Sequence, residues 1–351
     1  MRPTSSPTSS PRPSSPATLS NAPDALAAKA STPEWQQFSQ AVVNDGLRLR
    51  SPLSDASLQH LADWLASSSA ELKALYVDQE AQVSVGGMQV LFKALKANTT
   101  LQTLEVLSNP MDQASAEALA ETLKGNGTLD ELTLRSCGID EPMLAPLCEA
   151  LKSNSRLTRL NLRENAFGDK GLSALSEALL VNKMLLSLDV NKSFPGECDP
   201  CFFDAGMVAV VKALRSNTTL TEIRLGSVEM EVATRSGLLS AVRDNKVVQV
   251  IGFHDMHFPQ QDLQLLKSLL ADNAACAELE KRRPAAMKGL RAMAPQGYPD
   301  ELMTRMLDAL IRMPSIPEVD RMTALRSLDD INQSQAAVVT HDHTRGVAPG
   351  S

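Results

Sequence analysis

A leucine frame, Leu-x-x-Leu-x-Leu, returns every 28 residues through the middle of this 351-residue chain. It reads Leu101, Leu104, Val106; Leu129, Leu132, Leu134; Leu157, Leu160, Leu162; and Leu185, Leu188, Val190. Self-similarity at this period predicts a stacked array, because a unit this short cannot bury its own apolar face and must rest on its neighbours. Upstream, Leu72, Leu75 and Val77 continue the frame, with one extra residue before Leu101, and Leu47 and Leu49 stand 28 residues before Leu75 and Val77. Downstream, 35 residues separate Leu185 from Leu220, so that unit carries a seven-residue insertion. The period resumes at Leu220, Ile223, Leu225 and at Val248, Ile251, Phe253. About eight units are expected between residues 44 and 275, the outer ones degenerate.

Each unit has two halves. The leucine half alternates apolar and polar side chains, which is strand periodicity. The second half is helical: Ala116, Leu119, Ala120 and Leu123 recur at spacings of three and four, as do Leu144, Leu147, Leu151 and Leu172, Leu175, Leu179. The helices are expected to stop at Lys124-Gly125-Asn126-Gly127, Lys152-Ser153-Asn154, Arg215-Ser216-Asn217 and Asp272-Asn273, where a basic last turn meets Asn or Gly. Strand, turn, helix and turn in each unit predict an α/β solenoid that is curved, with a concave parallel β-sheet and convex helices.

The stretch Leu157-Thr-Arg-Leu160-Asn-Leu162-Arg-Glu-Asn165-Ala-Phe-Gly168-Asp-Lys-Gly171-Leu172 resembles the leucine-rich repeats of the ribonuclease-inhibitor type. It has the strand, the Asn after it and the Gly-x-x-Gly that opens the helix. The resemblance covers about two thirds of the chain. It implies the fold and a recognition role, and is silent on the partner. It also implies that Cys137, which stands where Asn109 and Asn165 stand in their units, is a buried structural thiol.

The ends differ from the array. Residues 1–22 are mostly Ser, Pro, Thr and Arg with no acidic side chain, too poor in apolar surface to offset the entropy of ordering. The expected organisation is a disordered leader at 1–32, the solenoid at 33–276, a small helical C-terminal extension at 277–331 and a disordered tail at 332–351. A short helix is expected at Pro33–Val43, leading into the first strand. Glu278–Met293 reads as a helix interrupted at Pro284. Asp300–Met313 reads as amphipathic, with Leu302, Met306, Leu310 and Met313 on one stripe, and Glu318–Ile331 carries Met322, Leu325, Leu328 and Ile331.

A Ser/Pro-rich leader without a cleavable-signal pattern, ahead of leucine-rich repeats, resembles effectors that bacteria inject through a type III secretion system. That resemblance implies secretion into a host cell's cytoplasm. The alternative is a flexible tail on a cytoplasmic protein. Some such effectors are ubiquitin ligases, but this chain departs from them. Its repeats are longer, its helical extension is small, and its one late cysteine, Cys276, sits in Ala-Ala-Cys-Ala-Glu at the end of the array.

Composition narrows the function. A net charge of −7 and 3% aromatic residues disfavour nucleic acid, which calls for basic grooves and stacking rings. There is no run of 18 apolar residues, so no membrane span is expected. Five cysteines without framework spacing suit a reducing compartment. Cys198-Asp-Pro-Cys201 has metal-ligand spacing, but a structural zinc needs four ligands, and His254 and His257 lie two units further on. His341 and His343 form only a fragment of a metal tract. No phosphate loop, nucleophile elbow or defined carboxylate pair occurs. No catalytic, metal or cofactor site is therefore assigned, and the chain reads as a non-enzymatic, monomeric scaffold with a protein partner of host origin. The alternatives are a regulatory scaffold of the producing cell, and an enzyme acting through the C-terminal extension.

The candidate site is the concave face. The strand register predicts three lateral rows: Thr103, Glu131, Arg159, Ser187, Glu222; Glu105, Thr133, Asn161, Asp189, Arg224; and Leu107, Arg135, Arg163, Asn191, Gly226, His254. Adjacent parallel strands lie about 4.8 Å apart, so side chains within a row are direct neighbours. Glu131 is expected to neutralise Arg159, and Asp189 to neutralise Arg224. Arg135 and Arg163 then stand side by side with like charge, Glu164 being the one nearby relief. They are the expected centre of partner contact, offered to a partner's carboxylate, with Tyr76 and Leu107 as apolar anchors.

Overall fold

The computed structural model describes residues 42–43, 45–67, 71–191, 204–254, 258–293, 299–312 and 324. The leader, the Cys198–Cys201 pair, His257, His341, His343, the predicted helix at 318–331 apart from residue 324, and the tail lie outside the described residues.

Among the described residues nine strands form one sheet in sequence order: β1 (Val42–Val43), β2 (Gly46–Leu49), β3 (Ala74–Val77), β4 (Thr103–Leu107), β5 (Glu131–Arg135), β6 (Arg159–Asn161), β7 (Ser187–Asp189), β8 (Glu222–Ser227) and β9 (Val250–His254). Strands β2 to β9 are parallel, the eight units expected from the leucine frame. Each is followed by a helix: α1 (Asp55–Leu65), α2 (Val85–Leu95), α3 (Gln113–Gly125), α4 (Glu141–Ser153), α5 (Gly168–Val181), α6 (Asp204–Ser216), α7 (Val232–Asp244) and α8 (Gln260–Lys281). The frame leucines and the inward helix residues make one continuous buried cluster, from Leu47 to Leu266.

Local chemistry sets the helix starts. Ser54, Ser84, Asp112 and Asp140 each accept a hydrogen bond from the backbone N–H three residues on, which satisfies a donor the helix leaves open. α5 starts differently, at Gly168 with φ +56°. A Cβ on Gly171 would lie 2.5 Å from Phe167 Cβ, so the Gly-x-x-Gly pattern keeps the Phe167 ring seated on the first turn.

The helix stops do more than the sequence suggests. Asn98, Asn126, Asn154, Asn182, Asn217 and Asn245 are buried. Each Nδ2 donates to a carbonyl ending the preceding unit's helix, on Leu65, Leu95, Leu123, Leu151, Leu179 and Leu214 in turn, at 2.6–2.8 Å. Each Oδ1 accepts from the backbone two and three residues on, as Asn182 does from Met184 and Leu185. Asn273 closes the ladder on Val242, Asn245 and Val248. At the other end of the units, Asn109 and Asn165 bind loop backbone from buried positions. Between them Cys137 Sγ contacts the Val106 and Arg135 carbonyls at 3.5 and 3.4 Å. Burial pushes its thiol up to about 12, which suppresses the nucleophilic thiolate.

Four expectations about the ends need correction. Val42–Val43 is not helical but pairs antiparallel with Leu47 and Gly46, so that its backbone covers the free edge of β2. α8 runs unbroken past the expected stop at Asp272-Asn273 and through residue 276, so Cys276 lies within it, half-buried, with Sγ 3.5 Å from the Ile311 carbonyl. The interruption falls at Arg282, and Pro284 lies in the first turn of α9 (Arg283–Met293), where its missing N–H leaves no bond unmade. In α10 (Asp300–Arg312) the buried stripe is Met303, Leu307, Ile311, while Leu302 and Met306 are exposed. The inner face is set by the cluster with Leu279 and Ala286, one residue round from the predicted stripe.

Candidate binding face

The first two rows stand as the spacing predicts. Thr103, Glu131, Arg159, Ser187 and Glu222 pair in succession, and so do Glu105, Thr133, Asn161, Asp189 and Arg224. The register also extends the second row to Tyr76 and Arg48. The third row holds at Leu107 and Arg135. Its far end does not: a bulge between Arg224 and Gly226 pairs Gly226 with Phe253 and shifts His254 to Ser227.

The charge pairing differs more. Glu131 and Arg159 form the expected ion pair. Asp189 and Arg224 face each other in register, yet Arg224 Nε takes Glu222 Oε1 on its own strand, 2.6 Å away. Asp189 Oδ1 instead accepts from the Asn191 N–H, as Asn161 Oδ1 accepts from Arg163 one unit earlier. That carboxylate is spent on ending its strand.

Arg135 is not awaiting a counter-ion. Its Nε and Nη2 hold Glu164 in a fork at 2.9 and 2.7 Å. Arg163 Nε approaches the same carboxylate at 3.5 Å, and Ser136 Oγ at 2.6 Å. Glu164 sits at φ +62°, in the left-handed region, as Ser108 and Ser136 do in the two preceding units. A bulky residue there is strained; four polar contacts on one carboxylate offset the strain. Burial alone would raise the Glu164 pKa, but the bonds from Arg135 and Ser136 and the two guanidinium charges prevail and hold it below the ordinary value. In turn the bond to Glu164 raises the Arg135 pKa against the effect of burial.

A second cluster of this kind lies on the first units. Asp78 Oδ1 accepts from Arg48 Nη1 at 2.9 Å, and Asp78 Oδ2 from Arg50 Nε at 3.1 Å. The Arg48 guanidinium lies 4.3 Å over the Tyr76 ring, a cation–π contact. Tyr76 is therefore a platform for Arg48 rather than an open anchor. Leu107 lies between the two clusters and lines a groove of about 370 Å³ with Arg48, Asp78, Gln79, Glu80, Ser108, Arg135 and Glu164. Glu105 makes no ion pair among the described residues. Burial raises its pKa, opposed by Arg48 and Arg135 and assisted by Asp78.

The spacing missed Arg48, Arg50 and Asp78 because the first unit is degenerate. The signal was present: Arg48 and Arg50 stand 28 residues before Tyr76 and Asp78. Among the described residues no group of His, Cys, Asp and Glu is arranged to hold a metal, and no helix is long and apolar enough to cross a membrane.

A family model described as a leucine-rich repeat matches residues 153–176, the part of the chain with the fullest repeat signature. Among solved structures, the chain is similar to the actin-binding site 2 of leiomodin-1, at 22% identity and a TM-score of 0.40, over 47% of this chain and 95% of that one. It is similar also to the tropomodulin C-terminal domain from Caenorhabditis elegans, at 13% identity and a TM-score of 0.41, over 48% and 98%. The comparison with curated proteins gives no match.

Proposed function

We propose that this leucine-rich-repeat chain is a non-enzymatic scaffold that holds a protein partner on its concave face. The observation that carries this reading is the lateral order of that face. The outward side chains of β2 to β7 stand in register, and their charges are held in place by Glu131–Arg159, Asp78 and Glu164. Groups fixed before binding lose little freedom when a partner arrives. Arg135, Arg163, Tyr76 and Leu107 belong to this surface, with Arg48 and Arg50 added to it.

The partner is proposed to be a host protein reached by type III export, supported by the Ser/Pro-rich composition of residues 1–22. Fusing residues 1–30 to a reporter should carry it through a type III apparatus, and deleting them should retain the chain. Equal export with and without them removes the effector reading and returns the scaffold to the producing cell.

The scaffold itself is tested by photo-crosslinkers placed at Thr133 and Asn161 on the face and at Glu177 and Lys212 on helices α5 and α6. A single protein adduct from the two face positions, and none from the helix positions, is expected. The reverse pattern places the binding surface elsewhere and overturns the reading.

A further inference from the structure

We infer that the groove over Leu107 captures an acidic, extended segment of the partner protein, gripped from both sides by guanidinium groups. This deepens the concave-face reading and rests on it.

The walls of the groove are alike in construction though not in sequence. On one side Arg48 lines the groove and meets Asp78, which Arg50 also binds from outside the lining; on the other Arg135 lines it and meets Glu164, which Arg163 also approaches from outside the lining. In both, the carboxylate lies behind and the guanidinium in front. The Asp78 and Glu164 side chains are 12% and 6% exposed, against 36%, 69% and 45% for Arg48, Arg50 and Arg135. A ligand entering the groove therefore meets arginine first. The buried carboxylates remove the repulsion between neighbouring arginines and fix each fork in orientation.

The forks are not used up. Asp78 and Glu164 engage Nη1 of Arg48, Nε of Arg50, and Nε with Nη2 of Arg135. Nη2 of Arg48, both Nη atoms of Arg50 and Nη1 of Arg135 carry no hydrogen bond to the described residues. These are donors with the spacing and planarity that carboxylates accept. The floor adds direction. Leu107, half-buried, offers an apolar contact between the two clusters, and Ser108 adds a hydroxyl. An extended segment alternates its side chains, so an acidic–apolar–acidic run places its carboxylates and its apolar residue on opposite faces. An acidic pair with an apolar neighbour turned to the floor suits the groove better than a uniformly charged run.

Two carboxylates oppose an acidic ligand. Glu105 makes no ion pair among the described residues and lies within electrostatic reach of Arg48 and Arg135, but its burial disfavours ionisation. Glu80 is exposed on the groove wall, in the short 3-10 turn Gln79–Ala81. Glu80 therefore gives the proposal its sign: removing that charge must tighten an acidic ligand and weaken a basic one.

The test uses the full chain and a fluorescein-labelled peptide, Gly-Ser-Glu-Leu-Glu-Ser-Gly, with a twin carrying lysine for both glutamates, read by anisotropy at low salt. Saturable binding of the glutamate peptide alone is expected. It should weaken at least about tenfold in Arg48→Gln/Arg135→Gln, since two charge-assisted contacts are lost, and tighten severalfold in Glu80→Gln. Because Arg135→Gln withdraws a partner from buried Glu164, Leu107→Glu serves as an independent variant; it leaves both clusters intact, places a like charge on the floor, and should also weaken binding about tenfold. Equal binding of the lysine twin, weakening in Glu80→Gln, or indifference to Leu107→Glu each overturns the proposal. So does displacement of the peptide by millimolar inorganic phosphate, which assigns the groove to phosphoryl groups. Crosslinks from Thr133 and Asn161 that persist in Leu107→Glu, with no glutamate-peptide binding to the unaltered chain, would leave the concave-face reading standing and remove only the acidic groove.

Discussion

Two polar systems repeat across this molecule, and they obey different rules. The asparagine ladder at the helix stops is buried and uniform: one residue type, the same bonds, from Asn98 to Asn245, with Asn273 closing it from inside α8. The charged rows of the concave face stand on the same repeat, yet residue type changes from unit to unit, as in Glu105, Thr133, Asn161, Asp189. The difference is burial. A buried backbone donor or acceptor left without a partner is costly, and only the short amide of Asn supplies both donor and acceptor at that distance. On the exposed face water satisfies whatever is present, so residue type is free to follow a ligand. Glu164 is the place where the two systems meet: it belongs to the binding face by its arginines and to the buried framework by its exposure and left-handed backbone.

The comparison is broken most directly at the ladder. Asn182→Ala deprives the Met184 and Leu185 N–H groups and the Leu151 carbonyl of their partner. At roughly 1–3 kcal/mol for each unsatisfied group, a loss of about 3–5 kcal/mol is expected in denaturant unfolding. A loss under ~1 kcal/mol would mean that water replaces the amide and that burial does not enforce the uniformity.

Glu164→Gln tests the meeting point. A charge-assisted bond contributes about 1.5–3 kcal/mol, so a loss of roughly 2 kcal/mol is expected at neutral pH. The folded pKa of Glu164 lies below its unfolded value; the contribution is therefore complete above the ordinary Glu range, near ~4.3, and lost as pH falls through the folded value. The stability gap between the parent chain and the variant should shrink accordingly at acid pH. A pH-independent gap would show that Glu164 acts by shape alone.

The smallest effect has the opposite sign. Glu105 is raised by burial, so its folded form holds its proton to higher pH than the unfolded chain does. Its cost to stability is absent below the ordinary Glu range and grows as pH rises through the folded value. Glu105→Gln should stabilise the protein at pH 7 by a few tenths of a kcal/mol, up to about 0.5, and do nothing near pH 3. Destabilisation at pH 7 would reveal a counter-ion on the face and weaken the account of how its charges are shared.

Much of the fold was legible because its cause is periodic. The positions of Leu104, Leu132, Leu160 and Leu188 fix strand, register and neighbour together, since a shift by one residue would turn the leucines to solvent. The first two rows followed from that register without any further information. The charge partners did not. Facing positions do not decide a bond when a nearer acceptor exists: Arg224 finds Glu222 on its own strand, and Asp189 finds the backbone of its own turn. Those choices depend on where each strand ends.

From the amino-acid sequence alone came the number of units, the side of each strand that is buried and the identity of the exposed residues, all of which depend on spacing along the chain. Only the tertiary structure decided which arginines share which carboxylate. Arg48 and Arg50 meet Asp78 from one unit away, and Arg135 meets Glu164 across 29 residues. Both contacts arise from stacking distant segments at a few ångströms, a distance that no local pattern encodes.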